Sequence, residues 1–365
     1  GAPHASLALH VRRRHVFEDS YHQLRLRSPA ELRGRLSVRF AGEEGIDAGG
    51  VAREWFLVLS REMFNPDYAL FKPSAENLAT FQPRENSYIN PDHLHYFRFV
   101  GLVVGKALYD GYMLDAHFTR PFYKHILGVP VTYDDLEAID PAHHRSLKWL
   151  LNTAIDDDPY AEFYFSVEKE RFGQVVVCDL VPGGRHVRVT DANKAQYVAA
   201  ITEYYMTTDI RQQIDAFIEG LRTLVPHELI RVFNENELEL LMCGLPEIDV
   251  DELYAHAEYT GYTASSQPVQ WFWAVVREMG AEEKARLLQF VTGTSKIPLE
   301  GFGALRGMNG PQRFQIHRAH GGTDRLPSAH TCFNQLDLPE YTSREQLKER
   351  LLLAIREGHD GFGFG

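Results

Sequence analysis

Three cysteines stand far apart in this 365-residue chain, at 178, 243 and 332, and the last has surroundings suited to a reacting thiol. Cys332 lies in Leu326-Pro327-Ser328-Ala329-His330-Thr331-Cys332-Phe333-Asn334, a polar stretch read as a loop entering a strand. A thiol on a loop carried by a small rigid core is expected to be accessible to a large partner. An unperturbed thiol has a pKa of ~8.5, so a few per cent is thiolate at neutral pH. That share is enough to attack a thioester, whose leaving group is itself a thiol, and His330 and nearby backbone donors would raise it. Cys178, in Val175-Val176-Val177-Cys178-Asp179-Leu180, reads as a strand position with a buried face. Cys243, after Leu240-Leu241-Met242, reads as a core residue at a helix end. Both follow the usual role of cysteine as a small hydrophobe.

Other chemistries fail on spacing. An odd cysteine count without CxxC argues against a disulfide framework or zinc finger and for a reducing compartment, cytoplasmic or nuclear. His317, His320, His330 and Cys332 are zinc-ligand types, but H-x2-H-x9-H-x-C is no closed structural zinc pattern, so no metal is expected. Thr292-Gly293-Thr294-Ser295-Lys296 lacks the glycine cradle of a phosphate loop, Gly301-Phe302-Gly303 lacks dinucleotide spacing, and there is no G-x-S-x-G elbow. No cofactor is implied. Asp156-Asp157-Asp158 reads as a solvated turn. A formal charge of -12 argues against nucleic-acid binding, and Arg12-Arg13-Arg14 reads as a solvated helix face. The longest apolar run, Phe97 to Tyr109, contains Arg98 and Lys106 and reads as a buried helix, so no membrane span is expected. The opening Gly1-Ala2-Pro3-His4-Ala5-Ser6 is small and polar, unlike a secretory signal.

The length allows two cores, and the 44% apolar and 24% charged shares are those of a soluble globular chain. Spacing predicts a helix over 7–27 and a half-buried strand through Leu36, Val38 and Phe40. Helical segments follow to about 150, broken at Asn65-Pro66, Asn90-Pro91 and Pro130. Alternation at Phe163, Phe165 and Val167, a strand-like run from Val175 to Val181, and alternation at Val187 and Val189 predict a short β-meander. A helix runs through Ile210, Ile214, Phe217 and Leu221, and another starts at about 235 with Asn234 and Glu237 as a capping box. It should stop at Gly244 in a left-handed cap, with Pro246 blocking continuation. Gly244-Leu245-Pro246-Glu247 is therefore the expected domain boundary. Beyond it, helices through Val269, Phe272 and Trp273, through Leu287, Leu288 and Val291, and from the Ser343 cap to Gly358 flank strands at 314–316 and 333–338. The overall reading is α+β.

The run Leu326 to Pro339 resembles the active-site signature of HECT ubiquitin ligases. Glu44-Gly45-Ile46-Asp47-Ala48-Gly49-Gly50-Val51-Ala52-Arg53-Glu54-Trp55, Leu287 to Ser295, and Met308-Asn309-Gly310-Pro311 resemble the same family in order, and the wording is nearest to its giant Mule-type members. The resemblance implies a bilobed fold. Residues 1–243 would be a large, mainly helical N-lobe with a small β-meander subdomain at about 145–225 that binds a ubiquitin-conjugating enzyme. Residues 244–248 would be a hinge and 249–365 a smaller α/β C-lobe.

It further implies that Cys332 takes ubiquitin from the conjugating enzyme as a thioester and passes it to a lysine of a protein substrate. His330 and Thr331 would flank the thiol. Leu147, Phe163 and Tyr197 would line the conjugating-enzyme groove, and Phe362 would help place the C-lobe. Ser87 to Leu94 is shorter than the family's equivalent stretch, so no ubiquitin exosite is assigned there. Gly361 to Gly365 lacks the terminal acidic residue of some members, so no carboxylate is assigned to lysine deprotonation. A cysteine hydrolase with His330 as base and a noncatalytic ubiquitin-binding scaffold remain the alternatives.

Overall fold

Leu7, Leu9 and Val11 alternate with polar or small residues, and the chain opens with a strand where helical spacing predicts a helix over 7–27. The computed structural model describes residues 6–44, 48–74 and 79–357. Strand β1 (Leu7–Val11) buries alternate side chains and pairs in parallel with β2 (Leu36–Phe40), the expected half-buried strand. After a 3-10 turn at Arg13–His15, α-helix begins at α1 (Val16–Leu24), which buries Phe17, Tyr21 and Leu24. A five-residue alternation is a weak local signal; the partner that makes it a strand lies about thirty residues on.

A capping box of Ser28 and Glu31 starts α2 (Pro29–Leu32). Helix α3 (Ala48–Glu62) leads to the antiparallel pair β3 (Phe71–Pro73) and β4 (Phe81–Pro83). Then come α4 (His93–Asp110), α5 (Arg120–Leu127), α6 (Leu136–Ile139) and α7 (Pro141–Asn152), and the three expected breaks fall between elements. Lys106 inside α4 is buried, but its Nζ donates to Gly34 O at 2.7 Å and pairs with Asp110 at 3.0 Å, which offsets the cost of burying a charge.

The expected meander is a hairpin, β5 (Ser166–Arg171) with β6 (Gln174–Asp179), plus a single bridge between Tyr164 and Arg188. Phe172 and Gly173 both take positive φ, the tight turn that twisted hairpins prefer. One face of β6 stays uncovered. Val175 on that face is 70% exposed, while Cys178 on the other face is half-buried against the third cluster. Helices α8 (Lys194–Met206), α9 (Arg211–Arg222), α10 (His227–Ile230) and α11 (Glu235–Cys243) follow. Helices α4 and α9 touch backbone to backbone: a Cβ on Gly101 would sit 1.9 Å from Phe217 O, and one on Gly220 1.8 Å from Arg98 O. Asn234 caps α11 as expected, its Oδ1 accepting from Glu237 N at 2.8 Å.

Gly244 ends α11 with φ +81 and ψ 173, so the predicted positive φ is present while ψ is extended rather than helical. The remaining elements are α12 (Val250–His256), β7 (Glu258–Thr260), α13 (Gln267–Glu278), α14 (Ala281–Thr292), β8 (Arg306–Gly307), β9 (Gly310–Pro311), β10 (Gln315–Ala319), β11 (Ser328–His330), β12 (Gln335–Pro339) and α15 (Arg344–Glu357). Their main sheet has the order β11-β12-β10-β7, parallel except for β11.

Among the described residues, buried apolar side chains form three clusters. One runs from Leu7 to Met242, a second from Val250 to Ile355, and a third from Leu136 to Met206. The chain is α+β, and no described helix is long and apolar enough to cross a membrane.

Candidate active site

The turn that carries Cys332 is shaped by its neighbours. Thr331–Phe333 form one 3-10 turn between β11 and β12, closed by Asn334 at φ +50, a conformation asparagine tolerates better than most residues. The Asn334 amide donates to Gln312 O at 2.8 Å and Arg306 O at 3.2 Å, tying the turn to the β8–β9 hairpin. Met308 N donates to Cys332 O at 2.8 Å. A Cβ at position 307 would lie 2.6 Å from that carbonyl, so Gly307 is what lets the hairpin approach. Helix α14 packs on the same turn. Three segments that sequence reading lists separately, 287–295, 308–311 and 326–339, thus meet at one place.

The thiol itself is not at an open rim. Cys332 is 1% exposed, and Sγ lies 3.6 Å from Glu137 Oε1 on α6, 195 residues earlier in the chain. The expectation of an accessible loop is corrected: α6, packed beside the third cluster, covers the turn. Between them, Thr331 and Ala138 help line a cavity of only about 20 Å³, little more than one water. His330 Nε2 and Asp337 Oδ2 are 2.9 Å apart across the β11–β12 pair. That bond raises the imidazole's pKa against the opposing effect of burial, with Asp337 and Glu137 adding negative charge nearby. Burial would raise Asp337, but His330 keeps it below the usual carboxylate range. The bond that orients His330 is thus to Asp337.

A second contact joins the first and second clusters and has no clear sequence signal. Glu239 of α11 is 2% exposed and accepts from Ser295 N at 2.6 Å, Gln289 Nε2 at 2.9 Å and Thr294 Oγ1 at 3.0 Å. His117 Nδ1 lies 3.1 Å from its other side. Burial opposes charge on His117, but Cys243 and then Glu239 outweigh it and push the imidazole up to about 10. At the margin, Asp115 pairs with both Lys296 and Arg61.

Leu147 and Tyr197, expected to line a groove, are buried in the third cluster, where Tyr197 meets the Phe165 ring edge-on at 5.5 Å. Phe163 is half-buried against the same cluster. The exposed aromatics of this unit are Trp149, Tyr160, Tyr164, Phe172 and Tyr205, of which Phe172 meets the Tyr88 ring and Tyr205 the His143 ring. Of the boundary residues, Gly244 keeps a bond to Leu240 O and Leu245 is exposed. Cys243 Sγ donates to Ala116 O at 3.2 Å, consistent with a structural role. His317 bonds Gln315, and among the described residues no three His, Cys, Asp or Glu side chains group as metal ligands. Phe362 lies outside the described residues.

A family model described as HECT-domain (ubiquitin-transferase) matches residues 57–365. The chain is similar to E3 ubiquitin-protein ligase UPL2 of Arabidopsis thaliana, with 56% identity over 98% of this chain and 10% of the relative. It is 52% identical to E3 ubiquitin-protein ligase HUWE1 of Mus musculus over 98% of this chain and 8% of the relative. For E3 ubiquitin-protein ligase TOM1 of Saccharomyces cerevisiae the identity is 51%, again over 98% of this chain and 11% of the relative. The chain therefore spans about a tenth of the length of the curated relatives it matches.

Proposed function

We infer the function from membership: this chain belongs to the HECT-domain (ubiquitin-transferase) family, and we propose that it is the catalytic part of an E3 ubiquitin ligase. In this reading Cys332 takes ubiquitin from a conjugating enzyme as a thioester and passes it to a lysine of a protein substrate. Exchange of one thioester for another is nearly balanced, so the acyl group stays activated while its carrier changes. No nucleotide, metal or other cofactor enters, and the compartment is cytoplasmic or nuclear.

One observation carries the proposal. The Cys332 turn leads into β12, whose Leu336 and Leu338 belong to the second cluster, and its thiol faces α6, whose Leu136 belongs to the third. A rotation about 244–248 would uncover it, and Gly244 supplies backbone freedom there. Residues 1–243 and 249–365 then act as the two lobes, with His330 and Thr331 flanking the thiol and Phe362 in the transfer element.

The conjugating enzyme would dock on the 145–225 unit. Exposed aromatics anchor interfaces better than buried ones, so Trp149, Tyr160 and Tyr164 are its contact surface, with Leu147, Phe163 and Tyr197 supporting it from beneath. Tyr160→Ala is expected to raise the conjugating-enzyme concentration for half-maximal charging about tenfold. Unaltered charging across a titration would remove this face from the interface.

The test of the function is a gel after mixing with ubiquitin-charged conjugating enzyme. A ligase shows a ubiquitin adduct that reductant dissolves. Free ubiquitin without an adduct would mean a hydrolase, and neither product would mean a scaffold; either result overturns the proposal.

A further inference from the structure

The Glu137 carboxylate, from the N-terminal half of the chain, comes within hydrogen-bonding range of Cys332 Sγ, at 3.6 Å. Its helical turn is firmly held. Leu136 beside it is 1% exposed, Ser74 Oγ donates to Ala138 O at 2.6 Å, and Asp135 is pinned by Lys124 Nζ at 3.0 Å in a buried pair. Glu137 therefore presents its carboxylate from a fixed platform. Its charge also reaches His330 on β11, His144 on α7 and Tyr133, while Lys148 on α7 and Asp337 on β12 complete the charged surroundings.

The contact is poorly suited to the first half-reaction. A thiolate formed there would face a carboxylate, and like charges at such a distance disfavour each other. After loading the sulfur is acylated and carries neither proton nor charge. When the loaded turn swings back towards α6, the same carboxylate stands beside the thioester, where an attacking nitrogen must come within about 3–3.5 Å of the carbonyl carbon.

Resting on the proposed ligase reading, we propose that Glu137 is a catalytic residue of the lysine half-reaction, drawing the substrate ammonium to the thioester and accepting its proton. The proton passes from the lysine ammonium to the Glu137 carboxylate, and the freed amine forms the C–N bond. The tetrahedral adduct releases its second nitrogen proton to solvent. The C–S bond then breaks, and the departing sulfur takes the proton back from the Glu137 carboxylic acid. The amide and a thiol donating to Glu137 result, and that thiol-to-carboxylate contact is the arrangement in the structure.

The experiment compares two amines on ubiquitin preloaded at Cys332. At pH 7 only about four in ten thousand lysine side chains are neutral, so free lysine needs a base. Hydroxylamine is already largely neutral and does not. In Glu137→Gln the ratio of lysine discharge to hydroxylamine discharge should fall about 100-fold, the scale of a lost general base. Glu137→Asp, which keeps the carboxylate, should recover part of the ratio and serves if the glutamine variant loads poorly. An unchanged ratio, or an equal fall with both amines, overturns the role of Glu137. Failure of the unmutated chain to load ubiquitin at Cys332 would instead defeat the ligase reading.

Discussion

Alanine at position 332 will leave no reductant-sensitive ubiquitin adduct and no transfer to lysine, while Cys178→Ala retains both. Removing the nucleophile of a covalent mechanism costs on the order of 10⁴-fold or more, because the remaining groups have no atom on which to hold the acyl group. Cys178 sits on the β5–β6 hairpin, half-buried against the third cluster, and the Glu137 contact is made by Cys332. Cys243→Ala should also keep the adduct, although Cys243 bonds Ala116 O and faces His117, so some stability is lost. Burial of Cys332 makes the result a test of opening as well as of chemistry. At 1% exposure the thiol must leave α6 before a conjugating enzyme can reach it. Adduct formation by the 332 alanine variant would assign the thioester to another cysteine.

Glu239→Ala is expected to cost about 3–5 kcal/mol, the scale of breaking a buried charge pair by removing one partner. It would leave the His117 imidazolium without its carboxylate and take the acceptor from Gln289, Thr294 and Ser295 together. Amide exchange at Ser295 should accelerate on the order of 100-fold or more, and the midpoint of urea unfolding should fall. An unaltered midpoint with unaltered exchange would show that the cluster does not hold the two parts together. The pH dependence follows from the two partners. His117 is raised from 6.5 to about 10, so its contribution is fully present below 6.5 and is lost as pH rises through about 10. Glu239 is lowered from 4.5, so its contribution is present above 4.5 and is lost on acidification. Ser295 protection should therefore be greatest between about 4.5 and 6.5 and diminish in the alkaline range. A flat profile would contradict the pairing.

Local signals were legible wherever the physics is local. The Asn234–Glu237 box, the positive φ at Gly244 and the breaks at Asn65-Pro66 and Asn90-Pro91 depend on residues a few positions apart. The motif around Cys332 was equally readable, as was the α+β character. Packing decided the rest. Strand β1 exists because β2 lies beside it, and Tyr197 is a core residue because α8 lies against Phe165. Cys332 is buried because α6 covers its turn, and Glu137 and Glu239 acquire their partners across 195 and about 55 residues. Side-chain type and spacing specify what a residue can do. Which residues meet depends on how separate apolar clusters dock, and no window along the chain contains that information.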